Sequence, residues 1–228
     1  MRGEKQFSNG LKGYVILETT LLICIKIVEC FQLQWWMVNV LEYAAILLNT
    51  LLVFRYYHRY GRKPENRSVR LIPWGLFATA LADFFLTFIS IERVYFPGIL
   101  LFCIAQIIYT VWINPNGKQI VAQGILFAAG IFVAFSRGVL NAVAAVGILD
   151  ISLLLINVLM VCTTARKKTP VLFGIGITLF LCCDVSICVR VLTTGILHEA
   201  AAFLVWIFYL PSQVCITLSY IRSLKTGE

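Results

Sequence analysis

Runs of apolar residues, each about the length of one bilayer crossing, recur along the chain and are separated by short polar stretches. Eight such runs stand near 13–32, 36–57, 71–91, 94–113, 119–136, 139–163, 171–193 and 200–221. Each is close to the ~20 residues that a helix needs to cross the hydrocarbon. Within lipid every backbone N–H and C=O must be satisfied inside the segment, so runs of this length predict helices. The breaks carry turn chemistry: Gly61-Arg-Lys-Pro64, Phe96-Pro97-Gly98, Asn114-Pro-Asn-Gly117 and Arg166-Lys-Lys-Thr-Pro170. The first run holds Glu18, Lys26 and Glu29, of which Lys26 and Glu29 are three apart and can meet on one helix face. It has no small-residue cleavage site, so a signal peptide is not expected. The pattern predicts an all-α polytopic transmembrane helical bundle of about eight spans, one domain over 1–228.

Composition agrees. Of the 228 residues, 60% are hydrophobic and 13% charged, against roughly 45–50% and 25% in soluble globular chains. With a mean hydropathy of +0.88, too little polar surface remains to cover a water-facing exterior. A soluble enzyme, a disordered tail and a nucleic-acid binder are excluded.

The formal net charge of +8 is informative through its placement. With eight spans, both termini and the second, fourth and sixth connections share one side. That side collects 15 of the 19 Lys and Arg residues, from Arg2, Lys5 and Lys12, through the Arg55–Arg70 stretch and Lys118, to Arg166–Lys168, Arg222 and Lys225. Lys26, Arg93, Arg137 and Arg190 are the remainder. Such a bias predicts cytoplasmic termini. The stretch 55–70 would also lie against anionic lipid headgroups.

The eight cysteines fall mostly inside apolar runs, form no paired CxxC arrangement, and are accompanied by only two histidines, His58 and His198. Neither a disulfide framework nor a zinc cluster is expected. The role that fits is small apolar packing.

Carboxyls inside the spans are the chemically informative residues: Glu18, Glu29, Glu42, Asp83, Asp150 and Asp184. A carboxylate at mid-bilayer costs at least ~2.5 kcal/mol, so it faces a bundle interior or a wet cavity. For Glu18, Glu29, Glu42 and Asp150 the expectation is bonding across helices, with Ser152 and Asn157 near Asp150. Asp83 and Asp184 are set apart by a faint duplication. Gly75, Asp83 and Tyr109 recur as Gly176, Asp184 and Tyr209 at offsets of 101, 101 and 100. This would make a parallel four-plus-four repeat, with halves 1–115 and 116–228, its axis along the membrane normal. Gln106 and Tyr109 share a face of the fourth span. Tyr209 and Gln213 share one of the eighth, with Pro211 between them. The expected result is one water-accessible cavity lined by two Asp, two Tyr and two Gln.

Three motifs carry a family resemblance. Ala82-Asp83-Phe84-Phe85-Leu86, followed by Gly98-Ile-Leu-Leu-Phe102 and Gln106-Ile-Ile-Tyr109, resembles the Gly-Asp-x-x-Leu and Gly-x-x-x-Phe-x-x-x-His-x-x-Tyr segments of the YhhN, or lysoplasmalogenase-like, integral membrane proteins. Gly176-Ile-Thr-Leu-Phe180-Leu-Cys-Cys-Asp184 is similar to that family's Gly-x-x-x-Phe-x-x-Ser-Asp. Tyr209-x-x-x-Gln213, with Ser219, is similar to its closing Tyr-x-x-Gln, one residue longer. Ala82, Gln106 and Cys183 stand where the family pattern has Gly, His and Ser.

The resemblance implies hydrolysis of the vinyl-ether bond of lysoplasmalogens, giving a fatty aldehyde and a glycerophospho-alcohol. Its chemistry needs a proton delivered to the alkenyl carbon and water added to the resulting oxocarbenium ion. Two carboxyls can divide that work as in glycoside hydrolysis. Asp83 and Asp184 are the catalytic candidates. Tyr109, Gln106, Tyr209 and Gln213 are the substrate-binding ones, with no metal and no cofactor. The partners expected are membrane lipids and a lysophospholipid substrate. Two other readings stay open: a non-catalytic binder or carrier of a lipid or small amphiphile, and a receptor-like or structural membrane protein.

Overall fold

The computed structural model of the protein describes residues 2–31, 35–61, 70–89, 95–163 and 171–226. Among them are eight α-helices: α1 (Arg2–Cys30), α2 (Trp35–Tyr56), α3 (Ile72–Phe88), α4 (Tyr95–Ile113), α5 (Gly117–Ser136), α6 (Ala142–Thr163), α7 (Val171–Leu192) and α8 (Ile196–Thr226). A π-helical turn, Tyr57–Gly61, extends α2. The described residues hold no strand. Each helix coincides with one of the eight apolar runs. The chain is a multi-pass helical membrane protein.

Six helices, α2 and α4 to α8, are long and apolar enough to cross a membrane. The other two differ for distinct reasons. α3 is strongly apolar but has 17 residues, which at 1.5 Å per residue is about 25 Å. α1 has 29 residues and carries the charged residues noted above.

Turn chemistry sets the joints. Asn114 adopts a left-handed φ of 62°. Asn116 then caps α5 reciprocally: its side chain accepts from the Gln119 N–H at 3.0 Å, and the Gln119 side chain accepts from the Asn116 N–H at 2.9 Å. Pro97 opens α4 rather than separating two helices, because its missing N–H falls in the first turn. Pro211 lies inside α8, which continues through it to Thr226.

Side-chain contacts fix the register. Asn49 on α2 takes hydrogen bonds from Tyr14 of α1 and Thr217 of α8, and donates to Glu18 at 2.9 Å. Asn39 on α2 donates to the Thr87 carbonyl at the end of α3. Thr110 of α4 donates to Asn157 of α6 at 2.8 Å, and Gln123 of α5 to Ser152 of α6 at 3.2 Å. Asn49 thus joins Tyr14, in the first half of α1, to Thr217, near the end of α8, which places the start of α1 and the end of α8 at one end of the bundle. In lipid such bonds and close packing, rather than burial from water, hold helices together.

Glycine provides the closest approaches. A Cβ on Gly75 would lie 2.3 Å from the Tyr109 ring, and one on Gly176 would lie 3.0 Å from the Ser212 carbonyl oxygen. The α3–α4 and α7–α8 hairpins close over these two positions. α8 touches α1, α2, α3 and α7 and supplies the buried residues Tyr209, Leu210, Ile216, Tyr220 and Ile221 to the core. α5 is peripheral, with Ala134 as its one buried residue.

Candidate functional site

Two carboxyl centres form in the half of the bundle away from the termini. The first is Asp83 on α3. It is buried, and its carboxyl accepts a hydrogen bond from the Tyr209 hydroxyl of α8. The Tyr209 ring is held by Phe102 at 6.3 Å, Phe180 at 5.5 Å and Trp206 at 5.3 Å, all edge-on. Four aromatic side chains from three helices therefore aim one hydroxyl at one carboxyl.

The second centre is Asp184 on α7, which lies within hydrogen-bonding reach of Asp150 on α6. Asp184 Oδ2 and Asp150 Oδ1 are buried with no other hydrogen-bond partner among the described residues. Two carboxyls this close are satisfied when one proton is held between them. Beside the pair, the Cys103 thiol of α4 donates to the Val146 carbonyl at 3.4 Å. Cys183 on α7 lies within electrostatic reach of Asp83, Asp150 and Asp184. Tyr209 is within reach of both Asp83 and Asp184, so the two centres are neighbours joined through α7 and α8.

The other sequence candidates sit elsewhere. Tyr109 lies off Asp83's level: its ring covers Gly75, eight residues before Asp83, and its hydroxyl lies beside Thr79, four before it. The Thr79 hydroxyl is itself donated to the Gly75 carbonyl at 2.9 Å. The Tyr109 ring packs edge-on against Phe173 at 5.5 Å. Gln106 faces α6, where Asn157 Nδ2 donates to its backbone and side-chain oxygens at 3.3 and 3.4 Å. Gln213 is buried on α8, with neither side-chain polar atom hydrogen-bonded among the described residues. Structure thus joins Tyr209 to Asp83 and sets it within electrostatic reach of Asp184, and keeps Tyr109 and Gln106 nearer the end that bears the termini.

Asp150 is the residue the sequence pattern does not single out. Its signal is positional: it lies 13 residues before the end of α6 at Thr163, and Asp184 lies 13 after the start of α7 at Val171. In an antiparallel hairpin equal distances meet. The same register brings Val161 against Gly174.

A cavity of about 480 Å³ lies between α1, α2, α7 and α8 at the end away from the termini. Its wall includes Glu42, Arg190 and Trp206 but none of the three aspartates. Trp206, which lines the cavity, also packs edge-on against the ring of Tyr209, the residue that donates to Asp83. Of the other carboxyls, Glu18 accepts from Asn49 across helices, whereas Glu29 pairs with Lys26 of its own helix at 2.7 Å rather than across helices.

Comparison with known proteins gives one family. The model of the YhhN family matches residues 36–220, a span that runs from α2 into α8. No curated protein and no solved structure matches the chain.

Proposed function

Starting from the chain's place in the YhhN family, to which it belongs, we propose that it is an intramembrane hydrolase of the vinyl-ether bond of lysoplasmalogen-type lysophospholipids. The observation that carries this is the paired carboxyls Asp150 and Asp184 beside Asp83 with its Tyr209 donor.

The proton held between Asp150 and Asp184 passes to the alkenyl carbon one removed from the ether oxygen. The double-bond electrons form the new C–H bond, and the carbon attached to oxygen becomes an oxocarbenium centre. Asp83, accepting from Tyr209, stabilises that cation and aligns a water. The water adds to the cationic carbon and gives up a proton to a carboxylate, leaving a hemiacetal. A carboxylate then takes the hemiacetal O–H proton as the C=O forms, a carboxyl gives a proton to the departing glycerol oxygen, and the fatty aldehyde and glycerophospho-alcohol are released. One water is consumed and the carboxyls return to their starting state. Acid–base catalysis of this kind contributes about 10²–10⁴-fold.

A second reading, a lipid or amphiphile binder without catalysis, draws on Gln106. It stands at the family's His position and is engaged with Asn157. Purified protein in detergent, given lysoplasmalogen and an ester lysolipid side by side, separates the two. Fatty aldehyde from the vinyl ether alone supports the hydrolase, and none from either supports the binder. We further propose that the end bearing both termini is cytoplasmic, supported by the basic residues gathered there.

A further inference from the structure

The cavity between α1, α2, α7 and α8 has an unusual charge arrangement. Glu42 is 8% exposed and has no hydrogen-bond partner among the described residues, yet it lines the cavity. Arg190, at the end of α7, lines it too and acts electrostatically on Glu42. Among the described residues neither Glu42 nor Glu199 forms an ion pair with Arg190, although Lys26 and Glu29 do pair, at 2.7 Å. Glu29, already paired with Lys26, and Glu199 line the same wall, so the Arg190 guanidinium and the Glu42 and Glu199 carboxyls face a common space without closing on each other, which leaves room for a ligand carrying both signs. A buried carboxyl without a partner is costly to ionise, and a cation bound beside it would favour its charged form. The Trp206 indole adds an aromatic wall suited to an ammonium group, and the planar Arg190 guanidinium suits a phosphate. The His198 ring donates to the Arg190 carbonyl at 2.9 Å, which fixes the end of the helix that bears this arginine.

We propose that this cavity seats a zwitterionic phospholipid headgroup, with its phosphate on Arg190 and its ammonium between Glu42 and Trp206. Position favours a lipid over a free headgroup. Trp206 is three residues before Tyr209 on α8, about 4.5 Å of helix rise. A headgroup in the cavity thus leaves its glycerol and first chain bond beside Tyr209 and Asp83. The assignment deepens the hydrolase reading and rests on it for the fate of the chain, but headgroup binding is measurable without any reaction.

The test measures binding of ester lysophosphatidylcholine, lysophosphatidic acid and free glycerophosphocholine to the full-length protein in detergent. Wild type should bind lysophosphatidylcholine at least tenfold more tightly than the other two. Glu42→Gln should erase the preference over lysophosphatidic acid while keeping affinity for the latter. Arg190→Gln should weaken both lipids by tenfold or more. For Glu42→Gln the selective loss is a readout that misfolding cannot mimic. For Arg190→Gln the control is Arg190→Lys, which keeps the positive charge and should recover most of the lipid affinity, and Trp206→Phe, which keeps an aromatic wall, should retain the preference. Unchanged preference in Glu42→Gln and Arg190→Gln overturns the headgroup site, and equal affinity for glycerophosphocholine overturns the lipid assignment. Because the ester lipid lacks the vinyl ether, headgroup selectivity without aldehyde release from lysoplasmalogen would sink the hydrolase reading alone. Aldehyde release with no selectivity would sink the headgroup site alone.

Discussion

Asp150 and Asp184 face each other across the α6–α7 hairpin, and no other donor reaches their inward oxygens, Asp150 Oδ1 and Asp184 Oδ2. A buried carboxyl normally finds an amide, a hydroxyl or a guanidinium. Among the described residues Asp150 Oδ1 and Asp184 Oδ2 meet no amide, hydroxyl or guanidinium, and this is the arrangement that the hydrolase proposal takes as its proton source. That relationship, more than any single residue, gives the bundle a chemical character.

The pair predicts strong coupling. Asp184→Asn and Asp150→Asn should each lower aldehyde release by about 10²-fold or more. The double variant should fall little further, because both changes remove one shared proton. Additive losses in a double-mutant cycle would show that the two act separately.

Tyr209→Phe keeps the ring between Phe102, Phe180 and Trp206 and removes only the hydroxyl that donates to Asp83. Turnover should drop roughly 10- to 100-fold through misplacement of the carboxylate, with a stability loss of about 1–3 kcal/mol. Tyr109→Phe, whose hydroxyl lies beside Thr79 instead, should leave turnover within about twofold of wild type. Equal damage from both substitutions, measured as initial rates, would argue against Asp83 as a working carboxylate.

Packing at the hairpins is testable without any substrate. Gly75→Ala would drive a methyl into the Tyr109 ring, and Gly176→Ala would meet the Ser212 backbone. Each should cost about 1–3 kcal/mol by overpacking, seen as a lower midpoint of thermal unfolding in detergent. Gly147→Ala, with open space around its Cβ, should be neutral or slightly stabilising. A neutral Gly75→Ala would mean that α3 and α4 are less closely packed than described.

Orientation follows from charge. Reporter fusions at the first and last residues should both report the cytoplasm. An external carboxyl terminus would require an odd number of crossings, and α1 or α3, the two helices short of the length-and-apolarity pattern, would be the one to leave the membrane.

Much of the architecture was legible in the sequence because lipid imposes one rule on every segment. An apolar run must be a helix of nearly fixed length, so all eight helices lie on the eight runs. Polar breaks such as Asn114–Gly117 mark the joints through their own turn and capping chemistry. Asp83, Asp184 and Tyr209 were also visible, as polar residues in places where lipid makes them costly. Which carboxyl meets which was not. Sequence distance from a shared connection pairs Asp150 with Asp184, but the repeat-like spacing drew attention to Asp83 instead. The same spacing set Tyr109 parallel to Tyr209, whereas helix register carries Tyr109 to Gly75 and Tyr209 to Asp83. Glu42 resembled Glu18 and Glu29 in sequence. Its lack of a partner is a tertiary fact, set by which helix ends surround it.

The central claim is that these carboxyls cleave a vinyl ether. The most direct measurement is fatty-aldehyde release from lysoplasmalogen by the purified wild-type protein, with Asp184→Asn purified alongside it. The account predicts aldehyde and glycerophospho-alcohol in equal amounts from wild type, none from an ester lysolipid, and a rate lower by about 10²-fold or more in Asp184→Asn. Wild type that binds lysoplasmalogen yet releases no aldehyde, or an Asp184→Asn variant as active as wild type, would contradict it.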